Sequence, residues 1–300
     1  MAPVTTRGAA TRVLVHAMFA IASGACNQVY GLEATILPPP DAPFTCPAIG
    51  ETPSFSQIEQ HLVQDCRDYA VSASRTLVTA LCLTPTRSEV WVASTRDAML
   101  APAPGLPVPT STTQNPTTYD HARPAPDGTR VYLRQIAVTL MPMSITTMLL
   151  EYRRGDDGVF AYAGVLPFGD TLTHEPSTIA LVDGDDLVVV SSDLGWQDHR
   201  HTPAGWVAAT STSFDQLGVD RTTSVSLSAD GLRALFFGHR ITGLTNEVLY
   251  TDRARTSDPF GAARVVPGVP PRPNEILMMP DCEEVYLAGL QSVFRAVRIR

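Results

Sequence analysis

The chain of 300 residues contains no lysine; its 22 basic residues are all arginine. That absence excludes Schiff-base and phosphate-loop lysines outright. Charged residues make up only 17% and the formal net charge is -8. An acidic chain without a basic run is a poor partner for nucleic acid or an anionic membrane surface. No apolar run is long enough to span a bilayer comfortably. Gly-x-Ser-x-Gly, His-Glu-x-x-His, phosphate-loop and dinucleotide patterns are all missing. No cysteine pair has the Cys-x-x-Cys spacing of a zinc site. The expectation is therefore no cofactor, and no metal beyond the weak candidates given below.

What is present begins with an export signal. Residues 1–25 carry Arg7 and Arg12 with no acid, then an apolar stretch over Val13–Ala22, then Ser23-Gly24-Ala25 ahead of Cys26. Small residues directly before a cysteine resemble a bacterial lipobox, which implies acylation of Cys26. Ser23 departs from that pattern, which usually has an aliphatic residue there. Conventional cleavage, leaving Cys26 as an ordinary cysteine, is the alternative. Residues 26–50 include Pro38-Pro39-Pro40 and read as an extended tether. Anchor, tether and a folded domain over 51–300 would follow in that order.

Four cysteines then remain, Cys46, Cys66, Cys82 and Cys282. In an oxidising compartment they allow two disulfides in three connectivities. Cys66–Cys82 and Cys46–Cys282 are favoured, with free buried thiols as the alternative.

A short hairpin pattern recurs five times: apolar strand, tight turn, apolar strand. The turns fall at Pro85, Pro126, Val182, Ala229 and Pro280, stepping by about 41, 56, 47 and 51 residues, near the range of propeller repeats. Pro126-Asp127-Gly128, Ala229-Asp230-Gly231 and Pro280-Asp281 supply the turn chemistry. One four-stranded blade per repeat fits this spacing. The last copy offers three strands before Arg300, so its missing outer strand should come from residues 52–75. Five blades are favoured, and six, with a degenerate blade in 51–80, are the alternative. A β-sandwich pair would show turns every 8–12 residues without the longer period.

These turns resemble those of TolB-like, WD-repeat-like β-propellers, whose blades carry Ser-Pro-Asp-Gly before an aromatic-rich strand. The resemblance covers about residues 80–300 and implies fold rather than activity.

The candidate chemistry is thin. Asp198, His199 and His201 form a metal-like segment, with His199 and His201 on one face of an extended stretch. A solvated loop is the plainer reading. The acidic turns Gly155–Gly158 and Asp183–Asp186 are weak calcium candidates. Asp127, Asp230 and Asp281 are expected to serve their own turns. Trp196 and Trp206 flank the histidines in what reads as a longer insertion and could form a recognition surface. The resulting expectation is a monomeric, non-enzymatic binding or scaffold propeller of the periplasm or outer membrane. It would touch the membrane only through its lipid and would engage an envelope protein or a surface glycan. A secreted hydrolase or lyase acting on glycans is the alternative, with Asp198, His199 and His201 as first suspects.

Overall fold

The structure is a computed structural model that describes residues 46–61, 66–84, 88–109, 116–140, 143–166, 178–181, 187–191, 194–243, 245–269, 275–289 and 292–299. The expected signal 1–25, Cys26, most of the tether, the Pro85–Arg87 turn and the acidic turn Asp183–Asp186 lie outside them. Among the described residues no helix is long and apolar enough to cross a membrane.

The fold is an all-β propeller of four-stranded antiparallel sheets. A first strand, β1 (Phe55–His61), precedes the sheet of β2 (Cys66–Val71), β3 (Val78–Leu83), β4 (Ser88–Ala93) and β5 (Ala101–Pro102). The next sheet holds β6 (Thr117–Pro124), β7 (Arg130–Leu140), β8 (Met143–Arg154) and β9 (Phe160–Val165). A third holds β10 (Thr178–Leu181), β11 (Leu187–Ser191), β12 (Gly195–Thr202) and β13 (Gly205–Ser213). After the short helix α1 (Phe214–Leu217) come β14 (Val219–Leu227), β15 (Arg233–Arg240), β16 (Asn246–Asp252) and β17 (Arg264–Val265). The last strands are β18 (Glu275–Met278), β19 (Glu284–Ala288) and β20 (Val293–Arg298), and β1 pairs antiparallel with β20 from Phe55↔Arg298 to His61↔Val293.

First strands of neighbouring sheets touch one another: β2 meets β6, β6 meets β10, β10 meets β14, β14 meets β18, and β18 meets β2. They therefore line a common axis. The second strands β3, β15 and β19 are buried almost throughout, whereas the fourth strands β5, β13 and β17 are largely exposed. The alternation of a strand explains how one strand serves two cores. Ala234 and Phe236 of β15 pack with Trp196 and Phe260, while Leu235 and Phe237 pack with Ile276, Val285 and Leu287.

The repeating turn has one geometry. The amides of Arg75, Gly128, Gly231 and Cys282 donate to the carbonyls of Ser72, Ala125, Ser228 and Met279. All four donor residues have positive φ, from 56° at Cys282 to 75° at Gly128. The first repeat thus turns at Ser72–Arg75, between β2 and β3. Pro85, which the sequence offers as its counterpart, instead falls between β3 and β4, the second and third strands of that sheet. The reason is chemical: Arg75 stands where Gly128 and Gly231 stand, and the Ser72 hydroxyl accepts from the amides of Thr76 and Leu77 at 3.2 and 3.1 Å. The third repeat also departs from expectation. Residues 195–202 are its third strand and 205–213 its fourth, so the supposed insertion is regular sheet.

Candidate functional site

Each turn fixes what stands before it. Asp68, His121, Ser224 and Glu275 lie four residues ahead of Ser72, Ala125, Ser228 and Met279, all on first strands or their bulges. Asp68 and His121 have φ of 59° and 52°. Both sit where the pairing register shifts, at Arg67/Ala70 and Asp120/Arg123. A bulge re-aims a side chain, and such backbone strain persists only where surrounding contacts hold it.

Here the contacts are charged. The Arg123 guanidinium donates to Asp68 Oδ1 at 2.7 Å and to Glu275 Oε2 at 2.5 Å. His121 Nδ1 lies 3.0 Å from Glu275 Oε1 and 3.7 Å from Asp68 Oδ1. The amide of Ala122 donates to Asp68 Oδ2 at 2.6 Å. Asp68, Arg123 and Glu275 are buried, and His121 nearly so. Three sheets thus meet at four charges, two of each sign. Hydroxyls lace the adjoining strands: Ser224 Oγ donates to the Ile276 carbonyl at 3.2 Å, and Ser226 Oγ to that of Met278 at 3.0 Å.

Burial alone would lower the His121 pKa, but Glu275 and Asp68 outweigh it and raise the imidazole to about 9. Burial would raise Glu275, yet His121 and Arg123 hold it at about 2. At neutral pH the cluster is therefore two cations against two carboxylates. Donor atoms of Asp68, His121 and Glu275 lie within 4.8 Å of one another, a spacing a metal ion could bridge. Arg123 and the imidazolium already supply the positive charge those carboxylates call for. Beside the guanidinium runs a cavity of about 40 Å³, walled mainly by apolar side chains such as Val71, Val225 and Leu277. That is room for a water or so rather than a substrate.

None of these four charged residues was singled out from the sequence. The signal that could have found three of them is their equal offset from the turn; Arg123 follows two residues after His121.

The residues that were singled out lie elsewhere. Asp198 is buried on β12 and paired with Arg253 at 2.5 Å. His199 is buried as well, and desolvation pushes it down to about 4. His201 is exposed and edges onto the Trp206 ring at 5.1 Å. The three therefore do not converge on one open site. Trp196 is a correction: it is core, not surface. It lies edge-on to Phe236 and Phe260 at 4.9 and 5.4 Å, and its indole N–H donates to Thr222 at 3.2 Å. Trp206 is half-buried on β13. Cys46 is bonded to Cys282 and Cys66 to Cys82.

The turn carboxylates serve their turns. Asp127 accepts from the Thr129 amide at 2.9 Å and its hydroxyl at 2.7 Å. Asp230 accepts from the Leu232 amide at 3.0 Å and from Arg233. Asp281 accepts from the Glu283 amide at 3.3 Å and from Arg75 at 3.2 Å.

No family model and no curated protein matches the sequence. Similar solved structures include glutaminyl cyclase from Myxococcus xanthus, 13% identical, covering 83% of this chain and 100% of that one with a TM-score of 0.47. TolB from Acinetobacter baumannii is 11% identical, covering 78% of this chain and 54% of that one with a TM-score of 0.42. The chain thus spans about half the length of that protein. A glycosyl hydrolase from Bacteroides ovatus is 10% identical, covering 84% of this chain and 95% of that one with a TM-score of 0.52. At such identities the likeness is one of fold, and activity does not travel with it.

Proposed function

We propose that this chain is an exported, non-enzymatic binding module of the cell envelope. It would be a monomeric five-bladed propeller closed by β1 and held at a membrane by acylated Cys26 through the proline-rich tether. Its partner is an envelope protein or a surface glycan, met across a loop face. The observation that carries this reading is the charge cluster at the axis. Arg123 and His121 compensate Asp68 and Glu275 in a buried quartet. A catalytic acid or base needs a group free to exchange its proton with substrate, whereas a compensated quartet fastens three blades together. The two disulfides favour an oxidising compartment. The hydrolase or lyase alternative draws no support from Asp198, His199 and His201, because Asp198 is tied to Arg253 and His199 is enclosed.

Crosslinking in native envelopes followed by pull-down tests the reading. A specific protein or glycan adduct is expected, together with a diacylglyceryl mass on Cys26. Turnover of a glycan panel by the unmodified chain would overturn it.

A further inference from the structure

The strands β7 and β8 outrun their sheet. Their pairing continues to Leu140↔Met143, whereas β6 reaches only Ala137, with one more bond from the Val138 amide to Pro116. On the other side β9 reaches Leu150, with a last bond from the Leu166 amide to Leu149. Beyond these points no strand among the described residues pairs with the two, and the ribbon they form runs about 10 Å past the end of β6 at the usual rise per residue.

The ribbon is two-faced. Cross-strand partners share a face, so Leu140 with Met143 and Val138 with Ile145 make one apolar side. Thr139 with Ser144 and Ala137 with Thr146 make the other, which carries no charge. Leu140 is 48% exposed, Met143 76% and Ile145 50%. No charged residue occurs from Gln135 to Leu150, and none from Ala98 to Tyr119, the stretch that leads into β6. In a chain of net charge -8, this end of the sheet is one that an anionic surface would not repel.

We propose that the ribbon tip seats in the interfacial layer of a lipid bilayer, laying Leu140, Met143 and Ile145 among headgroups and upper acyl chains. The proposal rests on the envelope reading above. Three arguments favour lipid over protein. The apolar face offers roughly 400 Å² at most, half of what one partner gives to a standard protein interface. The protrusion of about 10 Å matches the depth to which interfacial segments bury their apolar face. The twenty residues from Cys26 to Cys46, if extended as proline-rich chain, reach about 60 Å, which keeps a bilayer within range of the ribbon. Lipid anchor and ribbon together would supply the two signals that stable membrane attachment needs.

The test uses the chain from residue 26 onward with Cys26→Ser, so neither the acyl chain nor the apolar stretch 13–22 can bind lipid. An N-terminal hexahistidine tag holds it on phosphatidylethanolamine and phosphatidylglycerol vesicles containing a nickel-chelating lipid, in place of the natural anchor. Met143→Trp reports the contact through brominated lipids. Quenching of roughly twofold beyond the parent's is expected, as for an indole at the headgroup–acyl boundary, and it should vanish when Leu140→Asp and Ile145→Asp are added. Unchanged emission from protein that remains on the vesicles overturns the proposal. So does a vesicle-free dimer abolished by the same aspartates, which would assign the face to a second copy. Mass spectrometry of Cys26 in the natural chain reads the anchor separately, so failure of either claim is distinguishable from failure of the other.

Discussion

Arg123 decides how the axial charges behave. It contacts one oxygen of Asp68 and one of Glu275, and without it two buried carboxylates would share a single imidazolium. Arg123→Met should therefore lose about 3 kcal/mol or more in urea unfolding, the usual cost of removing one partner from a buried ionic network. A loss under about 1 kcal/mol would show that the quartet is no fastener. His121 adds a pH dependence whose sign follows from its raised pKa. Between the unfolded value of 6.5 and the folded value of about 9 the native state holds the extra proton. Its contribution is thus complete below about pH 6.5 and fades as pH rises through about 9. Urea midpoints measured from pH 6 to 9.5 should fall more steeply for the natural chain than for His121→Gln; parallel profiles would contradict the assignment. Glu275, depressed to about 2, works the other way: its contribution holds above its ordinary 4.5 and fades only as pH falls through about 2. Asp68, His121 and Glu275 were not legible alone, because together with Ser224 they put four different residue types in one structural position. Their equivalence emerges only once the turn of each repeat is fixed, and the first repeat hides its turn behind Ser72-Ala73-Ser74-Arg75.

At the scale of elements, the hairpin turn was the most legible feature, since Asp and Gly at fixed places leave few other backbone solutions. The fourth strands were the least legible. β5, β9, β13 and β17 each pair on one side only and lie mostly in solvent, and β5 and β17, at two residues, leave no periodicity to read. Trp196 misled for a related reason: a long apolar residue beside polar ones reads as a loop until Phe236 and Phe260 are brought against it. Residues 46–51 form a strap. It is held by the Cys46–Cys282 bond, by Arg233 Nε donating to the Pro47 carbonyl at 2.7 Å, and by Arg264 donating to the Gly50 carbonyl at 2.7 Å. Cutting the bond by Cys46→Ala with Cys282→Gly should cost about 2–5 kcal/mol, the range for loss of a native disulfide. Glycine is the right replacement at Cys282 because its φ of 56° suits no other residue as well. An unfolding midpoint equal to that of the natural chain under non-reducing conditions would show that the strap is held by its hydrogen bonds alone.

For the whole molecule, the question is whether the sheets behave as one body. Every first strand has a neighbour on both sides around the axis, and the last sheet takes its fourth strand, β1, from the other end of the chain. An open array of repeats unfolds piecemeal, because each unit touches only its neighbours. A closed ring has no terminal unit from which to fray. The proposed closure therefore predicts cooperativity as well as stability. Removing residues 46–61 would strip β20 of its partner from Val293 to Arg298 and expose a strand edge bearing Val293, Phe294 and Val297. Exposed apolar edges recruit further chains. The shortened chain should elute as dimers or larger species, and its hydrogen exchange should show β18–β20 opening ahead of β14–β16. The natural chain should protect both sets alike, since they share the cluster of Phe237, Tyr250, Ile276 and Leu287. A shortened chain that stays monomeric and exchanges both sets together would mean that the ring does not depend on β1 to hold itself shut.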